Sequence, residues 1–275
     1  MNILSAFLKS VVRFVREMAG TVVLSWRLFV RSIGAKYRNA FLGYFWMLLP
    51  AVLITGGVSL AGHAGIINPG NTKLPYPLFV FLGTVIWQVF AEALEVPYQA
   101  FEGARSYITR VYFSREAVIL VRLYEALIGA LLRLVIVLAL IAIFVGLSAK
   151  GAALIALCFA GAVLLGIGLG TILAPFMLLI ADLYNTVKLV LTYGLFLTPA
   201  LYMPRGDDIF SWVIRWNPIS PLMMNAREAA VTGALSSAVG LGITLAAGLA
   251  LVVVGMTLIR ISAPIVIERM LLGGR

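Results

Sequence analysis

The stretch NAFLGYFWMLLPAVLITGGVSLAGHAGIINPGNT, from Asn39 to Thr72, contains no Asp, Glu, Lys or Arg. A helix needs about 20 predominantly apolar residues to cross the hydrocarbon core of a bilayer. This stretch therefore has room for one membrane span and a connector, but not for two spans and a turn. Five further charge-free apolar runs follow it: Leu74–Ala91, Leu134–Ala149, Gly151–Ala181, Leu189–Met203 and Ala229–Ile259.

These runs predict an all-α integral membrane protein with six transmembrane helices. A helix bonds its own backbone N–H and C=O groups, which is necessary in lipid because no water is present to bond them. The overall composition agrees, since 62% of the residues are hydrophobic and only 12% are charged, far from the average of soluble domains. We place the spans at 41–61, 75–97, 117–147, 152–180, 186–204 and 237–259.

The distribution of positive charge predicts the orientation. If both termini are cytoplasmic, fifteen of the 21 Lys and Arg residues lie on the cytoplasmic side, five on the other side, and Arg133 within a span. Cytoplasmic segments of membrane proteins carry such an excess of Lys and Arg. The net charge of +10 is thus explained without a nucleic-acid partner, and we expect a multi-pass protein of the cell inner membrane with cytoplasmic termini.

Residues 1–40 precede the first span and are predicted to form cytosolic amphipathic helices. Trp26, Phe29, Val30, Ile33 and Tyr37 recur on one helical face, and cations recur on the other. A helix of this type lies in the membrane plane with its cations towards anionic headgroups or a protein partner. The alternative is a simple positive-inside anchor. The cationic candidates for this interface helix are Arg27, Arg31, Lys36 and Arg38.

The segment between the second and third spans combines charges and aromatic side chains in a charge-poor chain. A short charged cytosolic helix at 106–113 is suited to docking on a soluble subunit, although an ordinary cytosolic loop would also be charged. The acidic residues otherwise lie mostly at predicted span ends. The candidates for this docking segment are Ser106, Tyr107, Arg110, Tyr112, Phe113, Arg115 and Glu116.

The segment at about 205–235, on the external side, is predicted to contain two short helices. Ile209, Trp212 and Trp216 recur at helical spacing, and the sequence NPISP at 217–221 then interrupts the helix because proline cannot continue it. We interpret the pair as a re-entrant element at the outer mouth, or alternatively as an interfacial loop anchored by tryptophan. The candidates for an external gate are Trp212, Trp216, Asn217, Pro218 and Arg227.

Several kinds of chemistry are excluded by the sequence. No lysine follows a glycine, so the phosphate-binding P-loop is absent, and single copies of His and Cys make a metal site improbable. Arg133, inside the third span, either faces a polar cavity or extends towards the interface. A membrane enzyme acting on glycans or lipids would need paired carboxylates, and the one adjacent pair, Asp207–Asp208, lies in an external turn. Any work done by this chain must therefore be powered from elsewhere.

Four segments of the sequence resemble the permease subunits of ABC-2-type exporters, especially those that export polysaccharides. The first, RSIGAKYRNAFLGYFW at 31–46, is similar to the family's basic run entering the first span. Ser32, Ser114 and Ala181 depart from the family pattern. The other three segments are YITRVYFSRE at 107–116, AD at 181–182 followed by FLTPALYMP at 196–204, and NPISP at 217–221 with Arg227 and Gly233.

The resemblance implies a transport subunit and not an enzyme: two copies of the chain enclose one pathway for a lipid-linked polysaccharide such as capsule, O-antigen or teichoic acid. Two copies of an ABC ATPase would bind ATP and magnesium, so that this chain itself needs no cofactor. The docking candidates at 106–116 would couple the chain to this ATPase, and periplasmic export partners could join the assembly. The domains are then 1–40 for the interface helices, 41–260 for the six-span ABC-2 domain and 261–275 for a cytosolic tail. An ABC-2 drug or lipid exporter is the alternative within the same superfamily.

A long glycan requires a track that binds many sugars weakly, and aromatic rings can stack on the C–H faces of sugars. Such rings are frequent in spans one, two and five. A packing or lipid-facing role is favoured for most of them singly, so the inference rests on the cluster and on the family resemblance. Small residues in the fourth span, including Gly166-x-x-x-Gly170, predict close helix packing within the subunit or across the dimer. The channel-lining candidates are Tyr44, Phe45, Trp46, Trp87, Phe90, Phe196, Tyr202 and Arg133.

Overall fold

The computed structural model describes residues 22, 25–30, 43–64, 72–108, 115–203 and 209–272. Within these ranges all regular secondary structure is helical, as the sequence predicts. A helical segment at 25–30 precedes the main bundle. The helices that follow are α1 Gly43–His63, α2 Tyr76–Ile108, α3 Arg115–Phe144, α4 Ala149–Leu179, α5 Ala181–Tyr193, the 3₁₀-helix η1 Gly194–Leu197, α6 Ile209–Trp216, α7 Ser220–Thr232 and α8 Ala238–Leu272.

Five of these helices, α1, α2, α3, α4 and α8, are long and apolar enough to cross a membrane. They correspond to five of the six predicted spans, so a multi-pass membrane protein is confirmed. Two of them are longer than predicted, because α2 continues through Pro97 to Ile108 and α8 continues to Leu272. The remaining predicted span, at 186–204, corresponds to the shorter α5 with η1.

The chain from Tyr184 in α5 to Leu201 in the turn after η1 runs antiparallel to the part of α2 between Tyr76 and Tyr98. Helical residues rise about 1.5 Å each, so the stretch of α2 that it follows measures about 33 Å. The contacts are ring stacking of Tyr98 on Tyr184 with 4.0 Å between ring centres, a 2.9 Å hydrogen bond from Trp87 Nε1 to the Leu191 carbonyl, and a 3.1 Å hydrogen bond from Tyr76 Oη to the Leu201 carbonyl.

The core of the bundle is formed around α2 and α4. In α2, Val85 and Ile86 are fully buried. In α4, a Cβ added to Gly166 would lie 2.5 Å from the Phe90 carbonyl oxygen, so the two helix backbones approach as closely as glycine allows. The packing predicted for Gly166-x-x-x-Gly170 is therefore confirmed, and it occurs within the subunit, between α4 and α2. The other face of α4 packs on α8 through Gly168 and Gly255.

The two short helices predicted near 205–235 are present as α6 and α7. Between them, the Asn217 side-chain oxygen accepts a 3.1 Å hydrogen bond from the Ile219 amide, which closes a turn that the proline at 218 favours. Helix α7 ends at Gly233, whose φ of 67° lies in the left-handed region that glycine adopts at little cost. The re-entrant position of these helices stays a prediction.

Candidate functional site

An ion pair with a buried guanidinium joins two spans near their midpoints. Arg133 of α3 is 1% exposed, and its Nη1 donates a 2.6 Å hydrogen bond to the carboxylate of Glu92 in α2. Its Nη2 donates to the second carboxylate oxygen and, at 3.2 Å, to the Met47 carbonyl of α1. The guanidinium thus connects α1, α2 and α3, and its charge is neutralised within the protein.

Glu92 was not among the predicted site residues, because acidic residues were expected at span ends. The signal that could have found it is Arg133 itself. A charged side chain at the middle of a membrane span almost always has a partner within the bundle. Glu92 is an acidic residue that lies near the middle of another span, Tyr76–Ala104.

The predicted channel-lining residues do not share one environment. Trp87 and Phe90 are buried in the core with 5.4 Å between their ring centres, whereas Trp46 and Phe196 are 62% and 54% exposed. Tyr202 donates a 2.7 Å hydrogen bond to the Phe196 carbonyl beside η1. The side chains of residues 44 and 45 lie outside the described part of the chain. A channel role therefore stays a prediction, and the exposed rings fit it more directly than the packed ones.

Arg227 of α7, a predicted gate residue, is buried and binds three backbone carbonyls. Its guanidinium donates to the carbonyls of Pro199 at 2.5 Å, Ala200 at 2.8 Å and Phe79 at 3.1 Å. The guanidinium carbon also lies 3.4 Å from the centre of the Phe79 ring, a cation–π arrangement. Burial lowers the pKa of Arg227 to about 9, which leaves it protonated at neutral pH. Arg227 thus fastens α7 to α2 and to the turn after η1.

The same cluster brings together two of the segments that resemble the exporter family. Asn217 donates a 3.3 Å hydrogen bond to the Leu197 carbonyl, so the NPISP segment and Arg227 both bind the FLTPALYMP segment. Gly83 of α2 faces the cluster, and a Cβ there would lie 2.6 Å from Arg227 Nη2. These family-like residues therefore hold the short helices to the bundle.

The other gate candidates lie on the surface. Trp212 and Trp216 of α6 are 62% and 74% exposed, and their ring centres lie 6.0 Å apart. Pro218 is exposed in the turn that follows. Exposed tryptophans beside spans are typical of the level of lipid headgroups, so the arrangement is compatible with both the gate and the anchor interpretations.

A small cavity borders Arg227 without forming a ligand pocket. It has a volume of about 90 Å³ and is lined in part by Leu74, Met203 and Met224. The ion pair of Lys73 with Glu228, at 2.9 Å, lies at its edge. Small-molecule sites typically measure about 300–1,000 Å³. The cavity is therefore too small to hold a sugar chain.

The helical segment at 25–30 packs on the first turns of α3. Ser25 Oγ donates a 3.3 Å hydrogen bond to the Ala117 carbonyl, and the ring centres of Trp26 and Phe29 lie 5.7 Å and 5.5 Å from that of Tyr124. Arg27 is exposed on this segment, as expected for an interface cation. The other interface candidates, Arg31, Lys36 and Arg38, lie outside the described residues.

The ATPase-coupling candidates fall at the junction of α2 and α3, where the description of the chain is interrupted. Residues 106 and 107 belong to the last turn of α2, and 115 and 116 to the first turn of α3, but their side chains lie outside the described part. Arg110, Tyr112 and Phe113 lie outside it entirely. The coupling role of this segment stays a prediction.

Comparison with known proteins identifies two relatives of the chain. No family model matches it. Two proteins, each described as the O-antigen export system permease protein RfbA of Klebsiella pneumoniae, are 25% identical to it. One match spans 218 residues, or 75% of this chain and 79% of the relative, and the other spans 240 residues, or 83% and 87%. The resemblance of the chain to ABC-2-type polysaccharide-export permeases is thus confirmed, and the names of these relatives favour a transport subunit over an enzyme.

Proposed function

We propose that this chain is the transmembrane subunit of an ATP-driven ABC exporter that moves a lipid-linked polysaccharide, of the O-antigen or capsule type, across the inner membrane. The observation that carries the proposal is the similarity to O-antigen export permeases over up to 83% of the chain. The five apolar helices agree with a protein of this kind, and the exposed rings of Trp46 and Phe196 are suited to weak contacts with a passing glycan.

A sixth crossing by residues 184–201 completes the proposed topology. The contacts of Tyr184, Leu191 and Leu201 with α2 support it, because they follow α2 over about 33 Å and so over the thickness of a bilayer core. A 3₁₀-helix rises about 2.0 Å per residue, so η1 helps a short segment to cover this length. Both termini are then cytoplasmic, and α6 and α7 lie outside.

Two ATPase subunits supply the energy in this proposal, because the chain contains no P-loop. They bind ATP and magnesium and dock on the segment between α2 and α3. The hydrogen bond from Ser25 to the Ala117 carbonyl supports a composite docking surface, since it places the 25–30 segment beside the start of α3. Two copies of the chain, one for each ATPase, enclose the pathway.

Deletion of the gene tests the proposal. Surface polysaccharide should disappear while its lipid-linked form accumulates inside the cell, and the full-length chain should restore export only together with an ATPase. The purified chain alone should hydrolyse no ATP. A drug or lipid exporter would instead leave surface glycan unchanged and alter drug susceptibility or lipid distribution. The neighbouring genes give a second test, since genes for glycan synthesis beside an ATPase gene support the proposal and a resistance regulator opposes it.

A further inference from the structure

A stripe of polar residues runs along α2 through the membrane. Its members follow one another at intervals of four, four, three and four residues, which places them on one face of a helix. The rest of the span is strongly apolar, with a mean hydropathy of 1.7 in the span Tyr76–Ala104. Polar side chains within a span usually face a cavity or the path of a substrate. The stripe consists of Thr84, Gln88, Glu92, Glu95 and Gln99.

Contacts with neighbouring helices locate this polar stripe between two parts of the bundle. On one flank, Trp87 and Tyr98 of α2 contact α5. On the other flank, Glu92 is bonded to Arg133 of α3, which also bonds the Met47 carbonyl of α1. The stripe therefore lies between α5 on one side and α1 with α3 on the other.

The stripe is closed at one end and open at the other. Thr84 is fully buried, and neither its hydroxyl nor the Gln88 side-chain oxygen has a hydrogen-bond partner among the described residues. By contrast, the Glu92 side chain is 43% exposed, and Gln99 is exposed near the C-terminal end of α2. Buried polar atoms without partners are rare in folded proteins.

The facing helix α1 contributes two more buried polar atoms of the same kind. The hydroxyls of Thr55 and Ser59 also have no partner in the part of the chain that the structure describes. They are four residues apart and so share one face of α1. Unpartnered hydroxyls on both helices gain partners if water or a hydroxyl-rich molecule enters between them.

We propose that the polar stripe of α2 is a hydroxyl-binding track for the exported glycan, closed at Thr84 and Gln88 and open from Glu92 towards the C-terminal end of α2. The identification of the ligand as a glycan rests on the proposed function. Carboxylates accept hydrogen bonds from sugar hydroxyls, and the Gln amide and Thr hydroxyl both donate and accept. Arg133 holds the Glu92 carboxylate in place through two hydrogen bonds.

The charge of the stripe also selects the class of glycan. Glu92 is paired with Arg133. The next carboxylate, Glu95, accepts a 2.8 Å hydrogen bond from Gln99 Nε2 and has the Lys188 cation of α5 nearby, but no salt bridge joins it to a cation among the described residues. Phosphate groups or uronates passing this wall would meet like charges, which are repelled in a site of low dielectric constant. The track therefore suits a neutral, hydroxyl-rich chain and disfavours a polyanionic one.

Cysteine labelling tests the track without requiring transport. In a Cys158→Ser background, single variants Glu95→Cys and Gln99→Cys are assembled with the ATPase in inside-out membrane vesicles. A charged, membrane-impermeant thiol reagent should modify both, whereas Thr84→Cys and Gln88→Cys should react only when ATP is added. The matched control is Val254→Cys in α8, a span residue 58% exposed that should stay unmodified because it faces lipid. Equal labelling of positions 95 and 254 would overturn the track.

Export assays test whether the ligand of the track is a glycan. Thr84→Val removes a hydroxyl that has no partner to lose, so it should leave the unfolding temperature unchanged but slow export of a neutral glycan several-fold. The control Thr257→Val removes a hydroxyl from the exposed side of α8 and should change neither. Glu95→Leu should reduce export about tenfold, and Glu95→Gln should retain most of it and admit anionic glycans.

These experiments distinguish a failure of the track hypothesis from a failure of the proposed function. If cells lacking the gene still export glycan, the proposed function and the glycan ligand are both wrong, whereas the labelling pattern would still establish a hydrated path along α2. If glycan export depends on the gene but Thr84→Val, Gln88→Leu and Glu95→Leu all export at the original rate, the proposed function stands and the track is wrong.

Discussion

The guanidinium of Arg227 lies over the ring of Phe79, with 3.4 Å between the guanidinium carbon and the ring centre. The same guanidinium bonds the Phe79 carbonyl at 3.1 Å and the carbonyls at 199 and 200. Through this one side chain, a short helix between two spans is attached to the central helix α2. Movement of α7 as a gate would require these bonds to break or the whole cluster to move together.

Replacement of Arg227 should destabilise the fold. Arg227→Ala leaves three buried carbonyls without their donor and removes the cation from the Phe79 ring, so we expect the free energy of unfolding to fall by about 2–4 kcal/mol. Arg227→Lys should recover only part of the loss, because an ammonium lacks the planar fork of the guanidinium. Thermal unfolding of the purified protein in detergent measures both.

The control for this prediction is Lys150→Met, which removes an exposed cation near the start of α4 and should leave the unfolding temperature unchanged. An Arg227→Ala variant that unfolds at the original temperature but leaks ions would contradict the structural role of Arg227 and favour its role in a gate.

Gly83→Ala should also be destabilising, because the added methyl group has no space. Its Cβ would lie 2.6 Å from Arg227 Nη2 and 2.8 Å from the Ala200 Cα, and overpacking of this kind costs about 1–3 kcal/mol. Gly242→Ala is the matched control, since no atom lies within 4 Å of the corresponding Cβ. Alanine should there be neutral or stabilising, as it is in most helix interiors. A similar unfolding temperature for both variants would contradict the close approach at Gly83.

Five of the six spans and the break between α6 and α7 could be predicted from sequence because their causes are local. A charge-free run of sufficient length and a proline after a helix act without knowledge of the rest of the fold. The Arg133–Glu92 pair could not be predicted in this way, since its partners are 41 residues apart. Arg227 was recognised as a candidate from the family pattern. Its hydrogen bond to the Phe79 carbonyl could not be predicted, because the two residues are 148 positions apart in the sequence.

The Arg133–Glu92 pair should show strong coupling in a double-mutant cycle. Glu92→Met leaves the buried guanidinium without its counter-charge. Because the Glu92 side chain is 43% exposed, we expect a cost below the value of about 3–5 kcal/mol that is typical of breaking a fully buried pair. Arg133→Met with Glu92→Met removes both charges and should be less destabilising than the sum of the single changes. Unfolding free energies of the four proteins measure the coupling. Additive effects would show that the two side chains do not act as a pair.

Changes in the coupling segment should impair ATPase docking without preventing the membrane domain from folding. Tyr107→Ala combined with Arg110→Ala removes an aromatic contact and a cation that we assign to ATPase docking, which should weaken docking by about 2–4 kcal/mol. The chain should still insert in the membrane, but less ATPase should co-purify with it and export should fall. Unchanged co-purification together with unchanged export would refute the assignment.

Thiol labelling in intact cells should reveal the orientation of the chain. In a Cys158→Ser background, Asp207→Cys and Ser211→Cys should react with a membrane-impermeant reagent applied outside, because the proposed sixth crossing places the segment before and within α6 on the external side. Ser106→Cys and Lys9→Cys should react only after the cells are opened, since fifteen cations on that side favour the cytoplasm. The reverse pattern would overturn the orientation, and with it the ATPase docking site between α2 and α3, because that segment would then lie where no ATP-driven subunit can reach it.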